Sequence, residues 1–159
     1  MTDSDNRATI LVFSGDMDKV FAAFTVATGA ASIGMDTTMF FTFWGIKAIQ
    51  KGNMTGSSLW GRLMGLMNRG GINVIGPSRF NFLGAGRWML KNMMRRKQVV
   101  SLDELVQMAI DLGVHLLACD TSLTVMEITR DDLIPEVEEI VGVGTFLQRA
   151  AGARVQVTF

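Results

Sequence analysis

The run Ala8-Thr-Ile-Leu-Val-Phe-Ser14 is almost continuously apolar and is stopped at once by Gly15 and Asp16. A strand with one wet face alternates apolar and polar residues. A strand that does not alternate is buried on both faces, the habit of parallel sheets covered by helices. The following residues supply a cover. Asp18 to Gly34 reads as a helix in which Ala22, Ala23, Ala27, Ala30 and Ala31 permit close approach to a sheet, while Phe21, Phe24 and Ile33 fill the remaining volume. Asp36 to Gly45 is rich in β-branched and aromatic residues and reads as a second strand. Two strands joined by a helix make a βαβ unit with parallel pairing.

From Lys47 to about Gly84 the composition turns to Gly, Asn, Ser and Met. A connection of this length inside a compact domain is either functional or holds an element of its own. Leu59, Trp60, Leu63, Met64, Leu66 and Met67 fall at helical spacing, although Gly61 and Gly65 each cost a helix up to about 1 kcal/mol relative to alanine. The segment is expected to be a flap that covers the sheet, with a Met-rich lid or partner surface as the alternative. Gly86 to Gln98 reads as a basic helix. Ser101-Leu-Asp-Glu104 has the form of a capping box, opening a helix that runs to Leu112 and stops at Gly113. A strand from Val114 to Cys119 follows, then a helix start at Asp120-Thr-Ser122, a turn around residues 129–135, a strand near Val137 to Val141, a helix from Val143 to Ala151 and a last strand from Arg154 to Phe159. The expectation is one domain over residues 1–159, a three-layer α/β/α fold around a mainly parallel five-stranded sheet, with an insertion at about 47–85.

The neutral total hides a charge split. Of the fifteen Lys and Arg, ten lie between residues 45 and 97, a stretch without a single Asp or Glu; all fifteen acids lie outside it. Such asymmetry suggests a small anionic substrate or an anionic partner for the central segment, against the plainer reading of a basic face paired with a neighbour's acidic one. Nucleic acid is not expected, because the chain is neutral and has no recognition motif. No stretch reaches 18 uncharged apolar residues, so no transmembrane segment is expected. A polar, acidic start and a single cysteine point to a reducing, cytoplasmic setting without a signal peptide. One Cys and one His on a strand make no metal site, and Gly84-Ala-Gly86 lacks the rest of a dinucleotide fingerprint, so no metal or cofactor is expected.

Cys119 stands where a strand stops, and in open α/β sheets ligands bind beyond the carboxyl ends of strands. Alternation puts His115, Leu117 and Cys119 on one side of their strand. His115 is four residues away, roughly 13 Å, too far to serve as a general base. The helix start is the better candidate for activating the thiol, with Asp120 working against it. An inert, buried cysteine is the competing reading. Ser14, Gly15, Trp44 and Gly45 fall at the carboxyl ends of the first two strands, placed to line a pocket beside Cys119, and Lys47, Arg79 and Asn81 are candidate anion ligands from the insertion.

The run Ala118-Cys119-Asp-Thr-Ser-Leu-Thr-Val-Met126-Glu-Ile128 resembles the cysteine motif of the DsrE/DsrF-like sulfur-relay family. Phe43-Trp44-Gly45, Pro77-Ser78, Asn81-Phe82, Gly84, Gly86 and Ser101-Leu102 occur in the order found in the subgroup with a long central insertion. The resemblance implies that Cys119 accepts sulfane sulfur as a persulfide, or a thiosulfonate group, from a small anionic sulfur compound and passes it to a TusA-like sulfur carrier protein. It also implies a homo-oligomer, trimer or hexamer. Two other classes compete: a thiol redox sensor or peroxidase, for which this chain has no resolving cysteine, and a non-enzymatic interaction or ligand-binding module.

Overall fold

The computed structural model describes residues 6–53, 55–67, 69–79 and 84–159. Five parallel strands, β1 (Arg7–Val12), β2 (Asp36–Phe41), β3 (His115–Cys119), β4 (Val137–Val141) and β5 (Val155–Thr158), form one sheet in the order β4-β3-β2-β1-β5. Helix α1 (Met17–Ser32) joins β1 to β2. The longest connection, from β2 to β3, contains α2 (Leu59–Met67), α3 (Ala85–Arg96) and α4 (Leu102–Asp111). Short α5 (Asp120–Val125) follows β3, and α6 (Val143–Ala150) carries the chain from β4 at one edge to β5 beside β1.

Both faces of the central strands β1, β2 and β3 are largely buried, in keeping with the unalternating β1, while the edge strands β4 and β5 keep exposed residues. Ile10 and Val12 of β1, Met39 and Phe41 of β2, and Leu116 and Ala118 of β3 pack with α1 and α4 in the larger core. The intervening residues Leu11, Phe40, Leu117 and Cys119 face the other way, against Phe146 and Ala150 of α6. There Phe40 stacks on Phe146 with ring centroids 4.7 Å apart. The capping box of α4 is formed: Ser101 Oγ accepts from the Glu104 amide, and Glu104 Oε2 accepts from the Ser101 amide at 2.8 Å.

Two expectations need correction. The second strand ends at Phe41, not Gly45, because Phe43 takes a left-handed conformation (φ 44°) and opens a 3-10 helix over Phe43–Ile49 that buries Ile46, Lys47, Ala48 and Ile49. The helix expected in the insertion exists, but its described large apolar side chains do not turn onto the sheet. Among its described residues, the buried ones are Gly61 and Gly65. A Cβ at Gly65 would lie 2.3 Å from the Thr55 carbonyl oxygen, and one at Gly61 2.3 Å from Glu127 Oε2, so close contact at both positions requires glycine. Leu59, Trp60, Leu63 and Leu66 point outward instead.

The acid-free segment is fastened to the α/β body by carboxylates that the body supplies. Glu127 accepts four hydrogen bonds at the start of α2, from the Ser57 amide (2.7 Å) and hydroxyl (2.9 Å) and the Ser58 amide (2.8 Å) and hydroxyl (2.5 Å). Asp18 accepts from the Ser78 amide and hydroxyl at 2.7 Å each, Asp103 from Asn73 at 2.9 Å, and Asp132 from Asn53. The Ser58 hydroxyl and amide, followed by those of Ser57, pull the Glu127 carboxyl from its ordinary value of 4.5 to about 2. Burial pushes Asp18 upward, but the Ser78 bonds outweigh it and leave that carboxyl lowered as well.

Because these folded-state values lie below the unfolded ones, the fastening is complete at neutral pH and is lost as pH falls from about 4.5 toward 2. Hydrogen exchange at the Ser57 and Ser58 amides, corrected for intrinsic rate, is expected to lose protection over that window while β1 to β3 keep theirs. Glu127→Gln should produce the same local loss at neutral pH. Unchanged protection in the variant would show that α2 is held by something else.

Candidate functional site

Cys119 is both the last residue of β3 and the N-cap of α5. The chain leaving β3 turns toward the α1 and α4 side, where Leu123 of α5 joins the larger core, whereas the chain leaving the adjacent β4 turns to the opposite side as α6. Neighbouring parallel strands whose connections diverge to opposite faces leave a crevice at their carboxyl ends, the position where ligands bind in open α/β sheets. Cys119 pairs with Val141 across that divergence. Its side chain packs toward α6 with Phe40, Leu117 and Phe146, and the residue is 7% exposed.

Ser122, only 1% exposed, ties α5 to the end of β2. Its Oγ accepts from the Phe43 amide at 3.0 Å and pairs with the Thr42 hydroxyl at 3.0 Å. These bonds hold the left-handed turn at Phe43, a conformation that costs a bulky residue on the order of 1–3 kcal/mol unless its surroundings determine it. The turn presents Phe43 against Phe13 with ring centroids 5.9 Å apart, and Phe13, Phe43 and Trp44 are exposed along the carboxyl ends of β1 and β2. His115 is at the opposite end of β3, with Nδ1 2.8 Å from Glu138 Oε1 and Nε2 3.2 Å from Asp36 Oδ1. It is engaged there, a strand's length from the thiol.

Four of the residues picked from the sequence, Ser14, Gly15, Trp44 and Lys47, share the lining of one cavity of about 530 Å³ at the ends of β1 and β2. Gly45 adjoins it, and a Cβ there would lie 2.0 Å from the Val12 carbonyl oxygen, so this position needs glycine for packing alone. Gly15 is similarly constrained, with the Trp44 carbonyl oxygen 2.4 Å from where its Cβ would be. Lys47 is buried, and desolvation lowers its pKa. Arg79 is exposed and does not line this cavity, Asn81 lies outside the described residues, and Cys119 is not among the lining residues. Asp16, Lys19 and Arg69 do line it and were not singled out as ligands in the sequence; Lys19 Nζ lies 3.0 Å from Asp16 Oδ2. The only signal for them was position, Asp16 and Lys19 directly after the stop of β1. Among the described residues, no three His, Cys, Asp or Glu side chains gather in a way that could hold a metal ion.

A family model described as DsrE/DsrF/DrsH-like matches residues 4–158. The Uncharacterized protein YrkE of Bacillus subtilis is 35% identical over 152 residues, covering 94% of each chain. The Sulfur carrier protein DsrE2 of Allochromatium vinosum is 26% identical over 135 residues, 83% of this chain and 85% of that one. Among solved structures, the YchN protein of E. coli superposes with a TM-score of 0.57 at 14% identity, covering 96% of this chain and 99% of the other, a likeness of fold.

Ser122→Ala would remove the bond to the Phe43 amide, at a cost of about 0.5–1.5 kcal/mol. Chemical denaturation is expected to show a loss of that size, and native-state alkylation of Cys119 by iodoacetamide should become faster as the turn loosens. A variant with wild-type stability and wild-type alkylation would refute the role given to Ser122.

Proposed function

This chain belongs to the DsrE/DsrF/DrsH-like family, and from that premise we propose that it is a sulfur-relay protein in which Cys119 carries the sulfur. The observation that supports this reading most is positional: the single cysteine of the chain ends β3, where the connections of β3 and its neighbour β4 leave to opposite faces of the sheet. A relative of 83% coverage is described as a sulfur carrier protein, which supports the same chemistry.

In the proposed reaction the Cys119 thiolate attacks the outer sulfur of a donor persulfide, forming a protein persulfide and releasing the donor's thiolate. With tetrathionate as donor, attack on a central sulfur leaves Cys119 bearing an S–SO₃⁻ group and releases thiosulfate. A thiol of a TusA-like carrier then attacks the sulfane sulfur and regenerates the Cys119 thiolate. No net oxidation occurs, and no second cysteine is needed, in contrast to a peroxidase cycle that closes with an internal disulfide. Ser14, Gly15, Trp44, Gly45 and Lys47 are assigned to the approach of the anionic donor, with Arg79 and Asn81 as further anion ligands. The reaction suits a reducing, cytoplasmic compartment and a homo-oligomer; the exposed Val143 and Leu147, one turn apart on α6, support assembly.

The burial of Cys119 in an apolar cluster favours one competing reading, an interaction module with an incidental thiol. Mass spectrometry separates the two. Tetrathionate or polysulfide is expected to add sulfur-containing mass to the wild type and none to Cys119→Ser. The rate with tetrathionate should exceed that with a neutral disulfide, and the excess should shrink as ionic strength rises from about 0.01 M to about 0.1 M, where the screening length falls from about 30 Å to about 10 Å. Absence of any adduct would overturn the covalent reading. An adduct without the salt-sensitive preference would remove Lys47 and Arg79 from the site.

A further inference from the structure

We propose that the cavity under α6, at the amino ends of β1 and β2, binds a small tetrahedral oxyanion. It measures about 330 Å³ and is lined by Arg7 and Thr9 of β1, Thr38 of β2, and Thr145, Gln148 and Arg149 of α6, with Asp36 completing the lining. Its floor comes from the strand register. Arg7 pairs with Asp36 and Thr9 with Thr38, and alternation turns these residues to the side of Leu11 and Phe40, the side that α6 covers. Its wall comes from the helix, where positions 145, 148 and 149 share one face. Among the described residues no apolar side chain lines it, which sets it apart from the packed cluster of Phe40, Phe146 and Cys119 on the same side of the sheet.

Hydrogen bonding decides what fills it. Thr9 and Thr38 are 3% and 4% exposed, and among the described residues neither hydroxyl has a hydrogen-bond partner. Buried hydroxyls are nearly always paired, so theirs has to come from the contents of the cavity. The side chains of Thr145 and Gln148 likewise make no bond among the described residues. The two guanidinium groups are lightly engaged: Asp36 meets Arg7 at Nε, 4.0 Å away, and Glu139 meets Arg149 at one terminal nitrogen, 3.6 Å away, which leaves most donors of each fork. Asp36, the one carboxylate of the lining, is also held by His115 Nε2 at 3.2 Å. Net charge alone would not choose a ligand here, because each cation has its carboxylate. The contrast is that the carboxylate acceptor is engaged while the donors are not. A cation would face the guanidinium groups, and an apolar molecule would leave buried donors unpaired. Water satisfies hydroxyls, but guanidinium donors bond about twice as strongly to an ionised acceptor. A tetrahedral oxyanion presents acceptors in every direction, to the hydroxyls of the floor and the guanidinium groups beside them. Asp36 opposes high charge, which favours a monoanion or dianion.

The test titrates the full chain with sulfate, thiosulfate and phosphate, each against chloride at fixed ionic strength, read by calorimetry and by amide chemical shifts. Saturable binding is expected, with the shifts gathered at Thr9, Thr38 and residues 145–149. Tighter binding of the two sulfur oxyanions would assign the site to that class, and tighter binding of phosphate to the other. Arg7→Gln and Arg149→Gln should each weaken binding by about ten to a hundredfold, the worth of a hydrogen bond to a charged group. Thr9→Val with Thr38→Val keeps the branched shape and should abolish binding without lowering the midpoint of thermal unfolding, because those hydroxyls have no protein bond to lose. Cys119→Ser should bind the anion as the wild type does, since the site lies a strand's length from the thiol and does not rest on its chemistry. Binding no better than that of chloride would overturn the proposal. So would binding that survives the paired valine variant, or shifts confined to the carboxyl ends of the strands, which would place the anion in the cavity that holds Lys47.

Discussion

A parallel strand buried on both faces can offer chemistry only at its ends, and this protein is arranged around that restriction. β1, β2 and β3 lie between the α1/α4 layer on one side and α6 on the other, so their middles are committed to packing. What remains are the carboxyl ends: Ser14 and Gly15 after β1, Phe43 and Trp44 after β2, Cys119 at the end of β3. Ser122 connects two of these ends by holding Thr42 and Phe43 from α5, which makes the geometry near the thiol a property of the sheet and not of a free loop.

The central segment obeys a complementary rule. Having no carboxylate, it has no acidic partner of its own for its hydroxyl, amide and ammonium donors, and the body provides the acceptors: Asp18, Asp103, Glu127 and Asp132. A carboxylate that accepts several directed donors, as Glu127 and Asp18 do, fixes a geometry that a single exposed ion pair does not. Serines and asparagines make these anchors.

Much of this was legible in the sequence, and the failures have physical causes. The strands, the Ser101 capping box and the helix at residues 59–67 follow from local pattern, which the structure retains. The order β4-β3-β2-β1-β5 does not, because the crossover by α6 is decided by tertiary packing. The outward facing of Leu59, Trp60, Leu63 and Leu66 differs from the expected flap over the sheet, since periodicity identifies an apolar side without saying what it meets, and glycines that weaken a helix in isolation make close contacts here. The early end of β2 depends on one left-handed residue, Phe43, whose cause is a serine 79 residues away. Lys47 shares its cavity with Asp16 and Lys19 at the start of α1, a grouping that no local pattern in the sequence marks.

Relay, as opposed to mere modification, is tested most directly by following one sulfur atom. Protein loaded at Cys119 with an isotopically labelled outer sulfur is mixed with a TusA-like carrier under anaerobic conditions, and both proteins are weighed by mass spectrometry over time. The account predicts that the label leaves Cys119 and appears on the carrier's cysteine in equal amount, with Cys119 returned to the free thiol and able to load again. Label that stays on Cys119, or departs as free sulfide or thiosulfate without reaching the carrier, would contradict it.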